Sequence, residues 1–109
     1  MAVMIVYATA ADPDEAERIG RTLVTERLAA CANVIAGMRS VYWWEGRVQD
    51  ASEAVLILKT TDVRLAALVA RLRALHSYDC PCIEAWPVTD GNPDFLAWVA
   101  RETSSHPPP

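Results

Sequence analysis

Positive charge is scarce in this sequence: 10 Lys and Arg stand against 14 Asp and Glu, a net charge of −4 over 109 residues. No basic stripe is offered to a phosphate backbone, so no nucleic-acid partner is expected. No apolar run approaches the roughly 20 residues that a membrane-spanning helix needs, and no membrane partner is expected either. The apolar start, Met1 to Tyr7, lacks a basic flank and turns polar by Asp12, which reads as a first strand and not as a signal peptide. Cysteine is limited to Cys31, Cys80 and Cys82. Three thiols cannot all pair within one chain, and a reducing cytoplasm accounts for them most simply. No Gly-x-Ser-x-Gly, Walker or dinucleotide fingerprint is present, so no catalytic motif and no organic cofactor are read from the chain. No internal repeat is visible. Low complexity is confined to Ser104 to Pro109, which includes His106, so a single domain over 1–103 with a flexible Pro-rich tail is expected.

What is present is a long hairpin, from Ser40 to Thr60. Gly46 of the Glu45-Gly46 pair can adopt the positive φ that a tight turn needs. Val41, Tyr42, Trp43 and Trp44 precede the turn, and aromatic and β-branched side chains suit a pleated, half-buried surface. Ala54 to Leu58 is apolar at every position, so both of its faces should be covered. Trp43 and Trp44 lie near the tip, beyond the reach of one small domain. That exposed end points to a partner surface, most simply another copy of the same chain.

The remaining elements frame this hairpin. Val3 to Thr9 reads as a strand. Asp12 caps a helix, Pro13 fits its first position and Glu15 can reach back as the capping-box partner. Ala16, Ile19, Leu23, Val24 and Leu28 recur at helical spacing, which predicts one helix from Pro13 to about Ala29. Ala30 to Arg39 should be extended, with Gly37 marking a bulge or bend that splits the strand. Asp62 is the expected cap of a second helix, Val63 to about His76. Cys82 to Val88 is expected as a fourth strand, and Pro87 places it at an edge. Asn92 and Pro93 open a last helix. Phe95, Leu96, Trp98 and Val99 cover most of its sides, so it should be well buried or pressed against a neighbour. The order β-α-β-β-α-β plus a helix is an α+β, ferredoxin-like sandwich with two helices on one sheet face. The other face has no helix assigned to it, a second argument for a homo-oligomer.

Ferredoxin-like domains host unrelated functions, so the site must come from residues. His76, Cys80 and Cys82 form His-x-x-x-Cys-x-Cys, whose imidazole and thiolates suit copper or zinc. The spacing is not a standard zinc pattern, and inert thiols are the plainer reading. Two metal-binding cysteines after the first strand are absent, since Thr9-Ala10-Ala11 stand there. A second constellation is His76, Tyr78, Lys59, Glu53 and Glu84 near a sheet end. Partial burial of Lys59 would lower its pKa and suit it to base or Schiff-base chemistry, which makes an uncharacterised small-molecule enzyme using Lys59 and His76 the alternative. The plainer reading makes Lys59 an edge charge beside a carboxylate. RNA recognition shares the element order but needs aromatics on the third strand, and Glu53 to Thr60 carries none.

Several segments then fall in the order of one known family. Leu28-Ala29-Ala30-Cys31-Ala32-Asn33, Tyr42-Trp43-Trp44-Glu45-Gly46, Leu58-Lys59-Thr60-Thr61, His76-Ser77-Tyr78 before Pro81, Pro87-Val88 before Gly91, and Trp98 together closely resemble the CutA divalent-ion tolerance proteins. The resemblance spans about residues 3 to 102. It implies a homotrimer of ferredoxin-like subunits, PII-like in architecture, and a link to divalent metals, chiefly copper. In members with proposed copper ligands, a cysteine ends the first strand and two adjacent histidines end the second helix. Here those positions hold Ala8 and Leu75-His76, so only His76 carries over as a metal ligand. Cys80 and Cys82 are the residues available to compensate. Tyr42, Trp44, Lys59, His76 and Tyr78 resemble residues that line an intersubunit cleft in the family and form the expected ligand site.

Overall fold

The computed structural model describes residues 1–104. All but the first residue of the expected 104–109 tail, His106 included, lies outside them. The elements run β1 (Val3–Ala10), α1 (Pro13–Thr25), β2 (Cys31–Trp44), β3 (Arg47–Thr61), α2 (Asp62–Leu75), β4 (Ile83–Pro87) and α3 (Pro93–Glu102). The strands form one antiparallel sheet in the order β2-β3-β1-β4, with β4 at an edge. This is the expected ferredoxin-like arrangement with an added C-terminal helix.

Local chemistry sets most boundaries. Asp12 Oδ1 accepts from the Glu15 N–H at 2.8 Å, and Glu15 Oε1 reaches back to the Ala11 N–H at 3.0 Å. Two orphan donors at the start of α1 are thereby satisfied. The helix ends at Thr25, short of the expected Ala29. Arg27 takes φ 64°, and the Arg27 and Leu28 N–H groups bond back to Val24 and Leu23 carbonyls. That is a left-handed helix stop, normally glycine's position, here held by an arginine that pairs with Glu102 at 3.2 Å. Thr61, not Asp62, precedes α2 as its cap and makes no side-chain capping bond. The Asp62 carboxylate is turned instead to the Ala2 N–H at 3.1 Å. β4 begins at Ile83, one residue later than expected.

Alternation then divides the sheet into two faces. Val6, Ala8 and Ala10 of β1 and Ala54, Leu56 and Leu58 of β3 point to one side. There they pack on Ala16, Ile19 and Leu23 of α1 and Leu68 and Leu72 of α2. Ile5, Tyr7, Val55, Ile57 and Trp86 occupy the other side by register. The expectation that both faces of Ala54 to Leu58 are covered holds fully on the helix side and in part on the other, where Val55 is buried and Ile57 half-buried. No second layer lies over the opposite face within the described chain, and Ile35 and Trp86 there are 52% and 44% exposed. α3 closes the far end of the sheet through Val99, which meets Val3 and Ala30. It is less buried than its composition implies: Val99 alone is fully enclosed, and Phe95 is 41% exposed.

The hairpin is continuous. Glu45 and Gly46 both take positive φ, 51° and 75°, and close a two-residue turn between Trp44 and Arg47. Gly37, at φ 83°, bulges β2 as expected but does not split it, and Ala36 and Gly37 stand against Ala54 alone. β1 also ends at this point, with Ala10 opposite Ala54. Beyond it, the pairs from Met38↔Glu53 to Trp44↔Arg47 continue as a two-stranded arm. The arm stretches the molecule to 48 × 26 × 22 Å.

Candidate functional site

The arm and the loop between α2 and β4 meet at the end of β1. Period-two alternation places Ser40, Tyr42 and Trp44 on one side of β2, in register with Ala51, Gln49 and Arg47. The loop is fixed from the other side. His76 Nε2 lies 2.7 Å from the Thr9 carbonyl, and His76 Nδ1 accepts the Tyr78 N–H at 3.0 Å. An Nδ1 that accepts and an Nε2 that faces a carbonyl define one neutral tautomer, protonated on Nε2. The Tyr78 ring packs on the imidazole with centroids 4.7 Å apart. The Ser77 N–H donates to Glu15 Oε2 at 3.1 Å, and the Tyr78 hydroxyl donates to Glu53 Oε2 at 2.8 Å. One helix-capping carboxylate thus ties down the loop, and one phenol joins the loop to the arm.

Between them lies a pocket of about 580 Å³. The arm supplies Ser40, Tyr42, Trp44 and Glu53, the loop supplies residues 77–80 and Cys82, and β1 supplies Thr9. Burial first, and then the Glu53 carboxylate it touches, push the Tyr78 phenol well above its ordinary value, so it stays a proton donor. Desolvation and the Glu84 carboxylate, 3.5 Å from the sulfur, push the Cys82 thiol up as well. Burial pushes the Glu15 carboxyl up, but the hydrogen bonds from Ser77 and Ala11 outweigh it, and the group lies below its ordinary value.

The residues expected from the sequence separate into three groups. Tyr42, Trp44, Tyr78, Cys80 and Cys82 line the pocket together. His76 sits behind Tyr78 with both ring nitrogens engaged. Lys59 is elsewhere: it stands opposite Ile5 and Cys31, and its Nζ donates to Asn33 Oδ1. Four residues of extended β1 separate the Ile5 rung from Thr9, about 13 Å. Within one chain Lys59 and His76 therefore do not share a site. Nor do His76, Cys80 and Cys82 gather as a centre, and the described residues contain no group of three or more His, Cys, Asp or Glu placed to hold a metal. Ala8 and Leu75, at the resembled copper positions, pack in or against the core. The donors among the described residues of a single chain do not gather into a divalent-ion centre.

Thr9, Ser40, Ser77 and Asp79 line the pocket but were not singled out by sequence. Ser40 was accessible to it, since it shares the alternation of Tyr42 and Trp44. Thr9 and Asp79 are brought in only by the meeting of a strand end with a distant loop.

Residues 4–102 match the family model described as CutA1 divalent ion tolerance protein. The chain is 43% identical over 101 residues to the divalent-cation tolerance protein CutA of Pyrococcus horikoshii, covering 93% of this chain and 98% of that one. It is 40% identical over 100 residues to the chloroplastic protein CutA 1 of Oryza sativa, and spans only 56% of that relative's length. The crystal structure of CutA1 from Oryza sativa superposes with a TM-score of 0.93 at 38% identity, over 97% of each chain. No helix among the described residues is long and apolar enough to cross a membrane.

Proposed function

The chain belongs to the CutA1 divalent ion tolerance family, and from that membership we propose that it works as a homotrimeric ligand-binding or signalling module in divalent-cation tolerance. One observation carries the assembly. The arm leaves the sheet as a bare two-stranded ribbon, with Val41, Trp43 and Val48 on one side at 73%, 74% and 59% exposure and Tyr42 and Trp44 on the other at 42% and 54%. A two-stranded hairpin is marginal alone in water. An arm apolar on both sides, beside a sheet face without a second layer, fits burial against further copies. The arm–loop pocket is the ligand site of this reading, and a neighbouring subunit would close it.

Copper or another divalent cation is the ion the family description implies. For His76 to ligate it, the imidazole would have to leave Thr9 and Tyr78, which favours the pocket over an ion centre built on His76 as the chain's own binding site. The family description and the relatives' names assign no enzymatic activity. The three free thiols fit a reducing, cytoplasmic setting.

Solution mass by light scattering tests the assembly. The expected value is about three times 12.0 kDa, falling towards the monomer for Trp44→Ala. A monomeric parent, or a trimer untouched by that change, would count against the arm's role. Copper and zinc titrations beside His76→Ala and a Cys80→Ser/Cys82→Ser pair test the ion. Stoichiometric binding lost in either variant would return a metal centre to the 76–82 loop.

A further inference from the structure

The arm–loop pocket has a one-sided chemistry that names its ligand class, given the reading of that pocket as a ligand site. Glu53 and Asp79 are carboxylates, and no Lys, Arg or His among the described residues of this chain lines its part of the wall. No ion pair among the described residues involves either carboxylate. Glu53 Oε2 already accepts the Tyr78 hydroxyl, which fixes the carboxylate and leaves Oε1 for a second donor. Around this charge stand three aromatic rings, Tyr42, Trp44 and Tyr78.

Each alternative ligand class meets an obstacle. An anion meets two carboxylates and no cationic side chain in the wall that this chain builds. A bare metal ion finds too few donors and a space of about 580 Å³, which lies within the roughly 300–1,000 Å³ of small-molecule sites. A neutral apolar compound would leave the carboxylates uncompensated as it displaced their water. A cation on a carbon frame meets every feature: its charge faces Glu53 and Asp79, and its carbons lie against ring faces that attract positive charge. The geometry points to a binding site for a small organic cation, an alkylammonium compound, with its charged group at Glu53 and its frame against Tyr42 and Trp44.

The test uses the full chain in its native assembly and reads calorimetry together with side-chain NMR shifts of the pocket aromatics. The probes are choline and n-butylamine, their neutral analogues 3,3-dimethyl-1-butanol and n-butanol, and propionate as an anion. Both cations should bind saturably, in the millimolar range or tighter, and shift Tyr42, Trp44 and Tyr78. The neutral analogues should bind about tenfold more weakly or not at all, and Glu53→Gln should weaken the cations by a similar factor. Glu53→Gln keeps an acceptor for the Tyr78 hydroxyl, so the pocket wall is preserved; Asp79→Asn provides a second charge removal on an exposed loop. Equal binding of cation and neutral analogue, or indifference to both substitutions, would overturn the cation assignment while leaving the pocket as a ligand site. If no probe of any charge shifts the pocket aromatics, both the assignment and the underlying site reading fall.

Discussion

Two halves of one strand meet opposite fates. The inner half of β3, Ala54 to Thr61, ladders with β2 through Val55 to Lys59, and the outer half, Arg47 to Glu53, does so along its whole length. The first half also pairs with β1 and lies under α1 and α2, and Ala54, Leu56, Leu58 and Thr60 are essentially closed to solvent. The second half has no third strand and no helix, and Val48 is 59% exposed. Pairing is therefore not what buries a strand. Cross-strand bonds satisfy the backbone in both halves, but free energy from apolar burial accrues only where a second layer covers the side chains. The inner half is the fold's centre, and the outer half, with Arg47, Gln49, Asp50, Ser52 and Glu53 among its seven residues, has only β2 beside it.

Substitutions that treat the halves alike test this contrast most directly. Leu58→Ala, at 0% exposure, should lower the unfolding free energy by about 2–5 kcal/mol in chemical denaturation. Val48→Ala should cost no more than about 0.5 kcal/mol in a monomer, as exposed sites do. Any excess measured in the assembled protein reports how far a partner covers the arm, and equal costs for both substitutions would break the contrast.

The side-chain bond that joins Tyr78 of the loop to Glu53 of the arm comes next. Tyr78→Phe removes the hydroxyl that Glu53 accepts. The expected loss is about 1 kcal/mol, together with faster amide exchange in the arm and none in the inner half.

Acid comes third. The folded value of Glu15 lies below its ordinary 4.5. Its contribution is therefore complete above that value and fades as pH falls through the lowered one. Stability measured down the acid limb should lose this slope in Glu15→Gln, and hydrogen exchange at Ser77 should rise. An unchanged acid limb would show that the loop is not held by this carboxylate. Arg39→Ala should do least: its pair with Asp50 is 72% and 70% exposed on the outer half, and such pairs contribute well under about 1 kcal/mol.

How much of this was legible follows from the range of each interaction. The Asp12 cap, the Glu45-Gly46 turn and the order of elements are local signals, and each appears in the structure. The end of α1 was not legible, because the left-handed stop is Arg27, whose sequence carries no mark of φ 64°. Asp62 looked like a cap, but a contact across the chain to Ala2 claims its carboxylate. Among the candidate site residues, the alternation of Tyr42 and Trp44 was readable. Two features were not: His76 turned inward onto Thr9, and Lys59 paired with Asn33 on a distant rung. Both depend on partners that only the sheet register brings near. The same limit hid the excess of carboxylate over cation in the pocket, since Glu53 and Asp79 lie far apart in sequence.

The extra residue at Gly37 acts as a phase shifter. Before it, Cys31, Asn33 and Ile35 stand opposite Lys59, Ile57 and Val55; after it, Met38, Ser40, Tyr42 and Trp44 stand opposite Glu53, Ala51, Gln49 and Arg47. Odd positions give way to even ones on the same side of the sheet. Loss of a single codon there would leave Ala36 alone against Ala54 and keep every flanking pair, from Ile35↔Val55 to Trp44↔Arg47, in place. Tyr42 and Trp44 would stay on the pocket side, and what would go is the local bend and added twist that a bulge gives. The extra residue therefore aims the arm without choosing which of its faces meets the pocket.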